Sequence, residues 1–414
     1  MFTKRIGIAL CLLVSGVFEP GRAQSLSLAD AINRALAHHP ALHASAAGIE
    51  AARGRFWSGI ALPQPEVSAS YEYAPSGGPL GNAGEKTYGV TQALEFPTVY
   101  LLRGAKFGKE YQAVESESEH ARLGVIASVK SAYYEALYRR EALKIAEENL
   151  AIMEDFKRKS AVRERVGEGT HLESLTARVQ HAEAVGARDA QRNHLASAMA
   201  ELADAMGERH TAGMVYELSD TLGFVRLDPS LERVLDDALR VNRMLRVQSL
   251  RAEAAAIDET LAWSELLPKF ELGYSRQTLD GKTGFYGASF GITLPIWFMF
   301  DQKGKIEEAQ ANRVMAEAEL RRQSNAVALG IEKAFAEFKN EEAQVRLYQA
   351  EIIPQSEEIY RTAVRSYEAG EITYLEFLQA RQTLITAKSN YAGALYASNR
   401  ALVSLEEAAG VRFQ

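Results

Sequence analysis

A chain of 414 residues with 47 Lys and Arg against 54 Asp and Glu carries a net charge of −7, a balance that argues against nucleic acid, which needs a basic surface. Its one cysteine, Cys11, sits in a cleavable leader, so the mature chain has no disulfide, thiolate metal site or cysteine nucleophile. No later stretch reaches the ~20 apolar residues of a spanning helix, so a mature chain that crosses a membrane has to do so as a β-barrel.

The leader is residues 1–23. Lys4 and Arg5 precede an apolar run over 6–18, and Gly21-Arg22-Ala23 supplies small residues for cleavage after Ala23. Leu10 stands before Cys11, where a lipoprotein signal uses a small residue, so no lipid anchor is expected. A helical stretch follows. His38, His39 and His43 cluster there, but two histidines four apart without a third ligand make a weak zinc site. Pro40 reads as a helix boundary, and no metal or cofactor is expected.

Two strands come next, at about 66–74 and 87–96. Val67, Ala69, Tyr71 and Tyr73 alternate with Ser68, Ser70 and Glu72, and Tyr88, Val90, Leu94 and Phe96 alternate with Gly89, Thr91 and Glu95, although Gln92 falls on the apolar side. A Gly/Pro-rich loop over 74–86 joins them. No proline lies between Pro97 and Pro229, and the span is rich in helix formers. It predicts a descending helix over 101–166 and an ascending one over 171–206. The break is Val166-Gly167-Glu168-Gly169-Thr170, a helix stop followed by a fresh N-cap.

After a linker over 208–229 the plan repeats. Leu28, Ala35, Leu36 and Leu42 align with Leu231, Ala238, Leu239 and Leu245, and Gly167, Thr170, Glu173 and Gly207 align with Gly370, Thr373, Glu376 and Gly410. The chain therefore holds two copies of one unit, 24–207 and 230–414, too long for a solenoid repeat. Such a duplication invites annular assembly. Strands are expected at about 269–278 and 285–295, where Phe270, Leu272, Tyr274, Tyr286, Ala288, Phe290, Ile292 and Leu294 alternate with polar or tiny residues, joined by a loop over 277–284. The second hairpin descends over 302–369, kinks at Pro354, turns at Gly370-Glu371-Ile372-Thr373 and ascends over 374–409.

The ascending helices carry alanine every seventh residue: Ala177, Ala184, Ala198 and Ala205 with Gln191 as the exception, then Ala380, Ala387, Ala394, Ala401 and Ala408. A sustained heptad stripe of alanine implies a supercoiled seam with close backbones. The alternating strands have the length and two-faced pattern of a barrel wall, with Tyr71, Tyr73, Tyr274, Tyr286 and Trp297 as interfacial aromatics. Two strands per copy cannot close a barrel, which needs about eight, so strands are pooled between chains. Two chains or three both satisfy that count.

The order of leader, strand pair and helical hairpin, twice over, resembles the TolC-type outer-membrane efflux duct family. The residues that carry the likeness are Leu28-Ala29-Asp30-Ala31 with Ala35-Leu36, Leu62-Pro63-Gln64-Pro65, Leu267-Pro268-Lys269-Phe270, Leu294-Pro295 and Tyr367-Glu368-Ala369-Gly370-Glu371. The resemblance implies a mainly α protein with a small β part. It would be a homotrimer in the outer membrane of a Gram-negative cell, with a 12-stranded β-barrel continued by a 12-helix periplasmic tunnel. It further implies passive export, a periplasmic adaptor docked at the helical turns, and an inner-membrane pump. The family's gate position falls on Glu376, with Gln379 in place of a second acidic residue, and on Glu173 and Thr176 in the first copy. Residues 93–100, Ala93-Leu94-Glu95-Phe96-Pro97-Thr98-Val99-Tyr100, look most like heavy-metal efflux members. No hydrolase or metalloprotease motif is found, and no enzyme activity is expected. The competing reading is a non-conducting periplasmic coiled-coil scaffold.

Overall fold

In the computed structural model, which describes residues 24–74, 76–209, 216–226, 230–296 and 299–413, the chain runs twice through one order of elements. The expected leader, parts of the linker and Trp297 lie outside the described residues. The first pass holds β1 (Gln24–Leu26), α1 (Leu28–His38), α2 (Pro40–Ile60), β2 (Glu66–Glu72), β3 (Glu85–Leu94), α3 (Pro97–Arg165) and α4 (His171–Ala205). After β4 (Tyr216–Leu218), the second holds α5 (Leu231–Val241), α6 (Arg243–Ser264), β5 (Lys269–Leu279), β6 (Lys282–Thr293), α7 (Asp301–Leu347), α8 (Ile353–Glu368) and α9 (Tyr374–Ala409).

The two passes share their punctuation. Ser27 and Ser230 cap α1 and α5 by accepting from the backbone N–H three residues on. His39 and Asn242 then cap α2 and α6, each accepting from the N–H two residues on. The His39 ring nitrogen Nδ1 thus serves the backbone, at 3.2 Å from Ala41 N. Thr170 and Thr373 cap the ascending helices. Gly167 and Gly370 close the descending ones at φ 82° and 77°, a left-handed conformation that costs a residue with a Cβ. Each is the pivot of a Schellman turn, with Glu168 N on Arg163 O at 2.9 Å and Glu371 N on Ser366 O at 2.8 Å.

α3 is 69 residues, about 100 Å long. It begins at Pro97, earlier than the expected 101, because the fixed φ and missing N–H of proline suit a first helical position. In the second descending limb Pro354 has no N–H to return to the carbonyl four residues back. The limb widens into a π turn at Tyr348–Ile352 and continues as α8. α4 lies along α3, α9 packs on α7, α8 and α3, and α2 and α6 fill out the sheet-proximal half of α3. Among the described residues, no helix is long and apolar enough to cross a membrane.

The duplication extends to the core. Ala31, Ala35, Ala198, Leu202 and Ala205 are buried in one cluster, and their counterparts Val234, Ala238, Ala401, Leu405 and, half-buried, Ala408 lie in the other. The first cluster includes a feature without a sequence signal: β1 pairs in parallel with β4. The Tyr133 hydroxyl donates to Leu26 O (2.9 Å) and to Asp220 Oδ2 (2.7 Å), and Leu28 N donates to the same carboxylate oxygen at 2.9 Å.

The other sheet has the order β2-β3-β5-β6, antiparallel throughout. The expected 277–284 loop is a two-residue turn, since β5 runs to Leu279 and β6 starts at Lys282. Asp280 and Gly281 both take positive φ, 45° and 77°, the type I′ pattern whose twist matches the strands it joins. The first strand is shorter than expected: β2 stops at Glu72, and Tyr73 turns away at φ 58°.

Candidate functional site

Register unites the alternating strands into one wall. Val67, Val90, Tyr274 and Ala288 stand opposite one another in one row across the sheet. Gln92, Leu272 and Phe290 form the next, and Leu94, Phe270 and Ile292 the one after. Residues directly opposite share a face, so the apolar set of every strand lies on the same side. That side is open: Phe290 is 63 % exposed and Tyr286 77 %. Polar residues also fall on this side, among them Arg276, opposite Tyr88 and Tyr286, and Gln92, which turns its Nε2 to Pro63 O at 2.7 Å. The other face is mostly tiny or polar, with Ser68, Gly89, Ser275 and Gly287 in one row and Thr91, Gly273 and Ser289 in the next, and with Phe285, opposite Gln277, as an apolar exception near the hairpin end. It is also crowded. A Cβ on Gly273 would sit 2.3 Å from Ser289 Oγ, so any larger residue there makes the Ser289 hydroxyl turn aside. Tyr71 and Tyr88 join hydroxyls at 2.9 Å on the apolar face near the hairpin end, while Tyr73 lies beyond the strand.

The alanine stripe is buried within one protomer at Ala177, Ala184, Ala198, Ala205, Ala380, Ala387, Ala394 and Ala401, and half-buried at Ala408. Ala394 packs with Val345 and Leu395. Leucine at this position overpacks the contact and is expected to cost about 1–3 kcal/mol, whereas leucine at exposed Ser389 should cost far less. Thermal denaturation of the two variants checks this, and equal melting would remove the seam role from Ala394.

The hairpin tips meet around an aromatic cluster. Phe377 stacks on Tyr367 at 5.1 Å between centroids and also touches Phe156 at 5.6 Å and Tyr360 at 6.2 Å. Ile372 packs against this cluster, while Val166, Gly167, Glu168, Gly370 and Glu371 are exposed on the turns, Thr170 and Thr373 are exposed as caps, and Gly169 is half-buried. Lys159 of α3 reaches Glu368 of α8 at 2.8 Å and Asp155 at 3.0 Å, tying the two hairpins on the outside of the cluster.

The paired glutamates have different surroundings. Glu376 is exposed and forms a capping box: its Oε2 accepts from Thr373 N at 2.7 Å and from Thr373 Oγ1 at 2.8 Å. These hydrogen bonds hold its carboxyl below the usual carboxylate range. Glu173 N–H likewise donates to its cap, Thr170 Oγ1, at 3.1 Å, but its side chain is buried at 6 % exposure and accepts from the Tyr367 hydroxyl. Burial, then this bond, push the Tyr367 phenol up to about 12. Gln379 is exposed, and Thr176 Oγ1 is turned to Leu172 O at 2.9 Å. Of this pair the structure leaves the Glu376 carboxylate open and withholds the one at Glu173. No local sequence signal marks the role of Tyr367, since Glu173 lies 194 residues away.

A two-faced sheet standing on paired, long helical hairpins, built twice in one chain, defines a class: a mainly helical protein with a small β wall. Residues 31–208 and 234–411 match the model of the outer membrane efflux protein family, and the chain belongs to that family. Protein CyaE of Bordetella pertussis is 26 % identical over 94 % of this chain and 85 % of its own. Cobalt-zinc-cadmium resistance protein CzcC of Cupriavidus metallidurans is 20 % identical over 95 % of this chain and 92 % of its own. Among solved structures CusC, described for transmembrane channel formation, superposes with a TM-score of 0.78 at 17 % identity, covering 93 % of this chain and 92 % of that one.

Proposed function

We propose that the chain is the outer-membrane duct of a tripartite efflux system, carrying cargo passively from the periplasm to the exterior. The observation that carries this reading is the sheet: its apolar face is open, its opposite face is mostly tiny and polar, and β2 and β6 are edges without a neighbouring strand among the described residues. Unpaired edges in lipid are untenable, so the edges close on copies of the chain. Three copies pool twelve strands, the trimer that the family resemblance implies, and their hairpins continue the barrel as a twelve-helix tunnel. The exposed turns at 166–170 and 370–373 are the surface offered to a periplasmic adaptor, and through it to an inner-membrane pump. Likeness to CzcC supports metal-ion cargo. The protein adds no catalytic step. Reconstituted in planar bilayers, the oligomer should conduct steadily; a sealed bilayer at every voltage would leave the coiled-coil scaffold as the reading.

Glu376 is the acidic ring of the closed mouth in this reading, one carboxylate per protomer around the axis, with Gln379 and Thr176 as neutral lining. Like charges around one axis attract cations. Because the folded-state pKa of Glu376 is depressed, the ring stays charged at neutral pH, and its cation preference fades only as pH falls through that lowered value. Glu376→Gln retains an N3 cap of the right type, so trimers should form normally while cation preference and periplasmic-side block by multivalent cations weaken severalfold. Reversal-potential measurements with both proteins decide it; unchanged selectivity would put Glu376 on a solvated outer face.

A further inference from the structure

Arg381 is a charge where the helix pattern calls for an apolar side chain. It lies on the buried face of α9 between Phe377 and Leu384, at 6 % exposure. Its guanidinium crosses to the first hairpin. Nη1 donates to Met153 Sδ at 2.7 Å and to Asn149 Oδ1 at 3.4 Å, both on α3. Nη2 donates to Gln180 Oε1 on α4 at 3.2 Å and to Gln382 Oε1 at 3.4 Å. Every one of these acceptors is neutral, and Nε has no partner among the described residues.

The carboxylate that acts on Arg381 through space is Glu183, one turn along α4, and Gln180 stands between them. Gln180 Nε2 donates to Glu183 Oε2 at 3.0 Å while its Oε1 accepts from Arg381. The amide therefore relays the guanidinium to the carboxylate and keeps the two apart. An arginine stays protonated in such a place, although burial lowers its pKa from the ordinary value. Its desolvation is offset by dipoles and by a carboxylate that it does not touch, which is a poor exchange for a buried charge.

We propose that Arg381 is a releasable clasp between the two hairpins, held off Glu183 by the Gln180 amide so that the shut tip keeps a weak joint. It rests on reading the tip as the closed mouth of a duct. A carboxylate at 180, with Glu183→Gln so that two carboxylates do not face each other, would complete a charge-assisted pair, and an apolar side chain at 381 would remove the desolvation cost; either change would shut the joint more firmly. Arg381 is thus a positioning residue, acting on the mouth through helix packing.

The test uses the full-length oligomer carrying Gln180→Glu with Glu183→Gln, or Arg381→Met, with two readouts. Hydrogen exchange across 374–390 should slow by about tenfold or more in both variants, the scale expected when a buried unpaired charge is paired or replaced, and the time spent open in planar bilayers should fall in step. A tie that merely holds the hairpins together predicts the opposite sign for Arg381→Met, with faster exchange and more opening. Exchange that is unchanged or faster in either variant overturns the clasp. A wild type that never conducts overturns the duct reading, and the exchange readout still judges the joint.

Discussion

Arginine at Phe290 is expected to abolish assembly of the membrane oligomer. Phe290 opposes Leu272 on the apolar face, stands 6.2 Å from the Phe270 ring and is 63 % exposed. An arginine facing lipid near the bilayer midplane costs about 2–4 kcal/mol. At about 1.4 kcal/mol per tenfold that is roughly 30- to 1,000-fold in each protomer, and a closed barrel of several copies bears it several times over. Arginine at Ser70, which opposes Thr87 on the polar face, meets water and should assemble. The fraction of heat-resistant oligomer in outer-membrane extracts measures both. Equal assembly of the two variants would mean that neither face of this sheet meets lipid.

The repeat and its punctuation were legible because local chemistry enforces them. A glycine that must take positive φ and a threonine that must accept from an N–H three residues on leave the same mark in both copies, at Gly167 with Thr170 and at Gly370 with Thr373. The wall was legible for a similar reason, since one-sided burial writes a period of two. The turn at Asp280-Gly281 carried a hairpin signal that a broader Gly-rich loop reading obscured. Other features were illegible for physical reasons. The strands β1 and β4 are three residues each, too short for a period, and their pairing depends on Tyr133 and Asp220 far along the chain. Glu173 and Glu376 share a cap context, so local sequence cannot separate them. They differ because Tyr367, 194 residues from Glu173, supplies a hydroxyl to one alone. Arg381 was readable in part: a charge at core spacing between Phe377 and Leu384 is an anomaly, but its neutral surroundings come from α3 and α4.

Loss of Lys130 is expected to produce the largest stability change of any single substitution considered. Lys130 Nζ and Glu406 Oε2 are 2.6 Å apart, with side chains only 6 % and 8 % exposed, and the second oxygen of Glu406 accepts from Phe413 N at 2.9 Å. The pair joins α3 of the first copy to α9 of the second. Lys130→Met leaves a buried carboxylate with a single N–H donor, at a cost of about 3–5 kcal/mol. Adding Glu406→Leu removes that charge and should recover about half of the loss, because what is left behind is one backbone N–H, worth about 1–3 kcal/mol when unsatisfied. The double variant should therefore melt above Lys130→Met, an order of stability that a surface pair would not show. Equilibrium unfolding of the four proteins in the cycle measures it, and additive losses would mean that water reaches the pair. The damage should also stay local: the Phe377 cluster belongs to a separate core at the tip, so its exchange protection should outlast the melting of the joint between the copies.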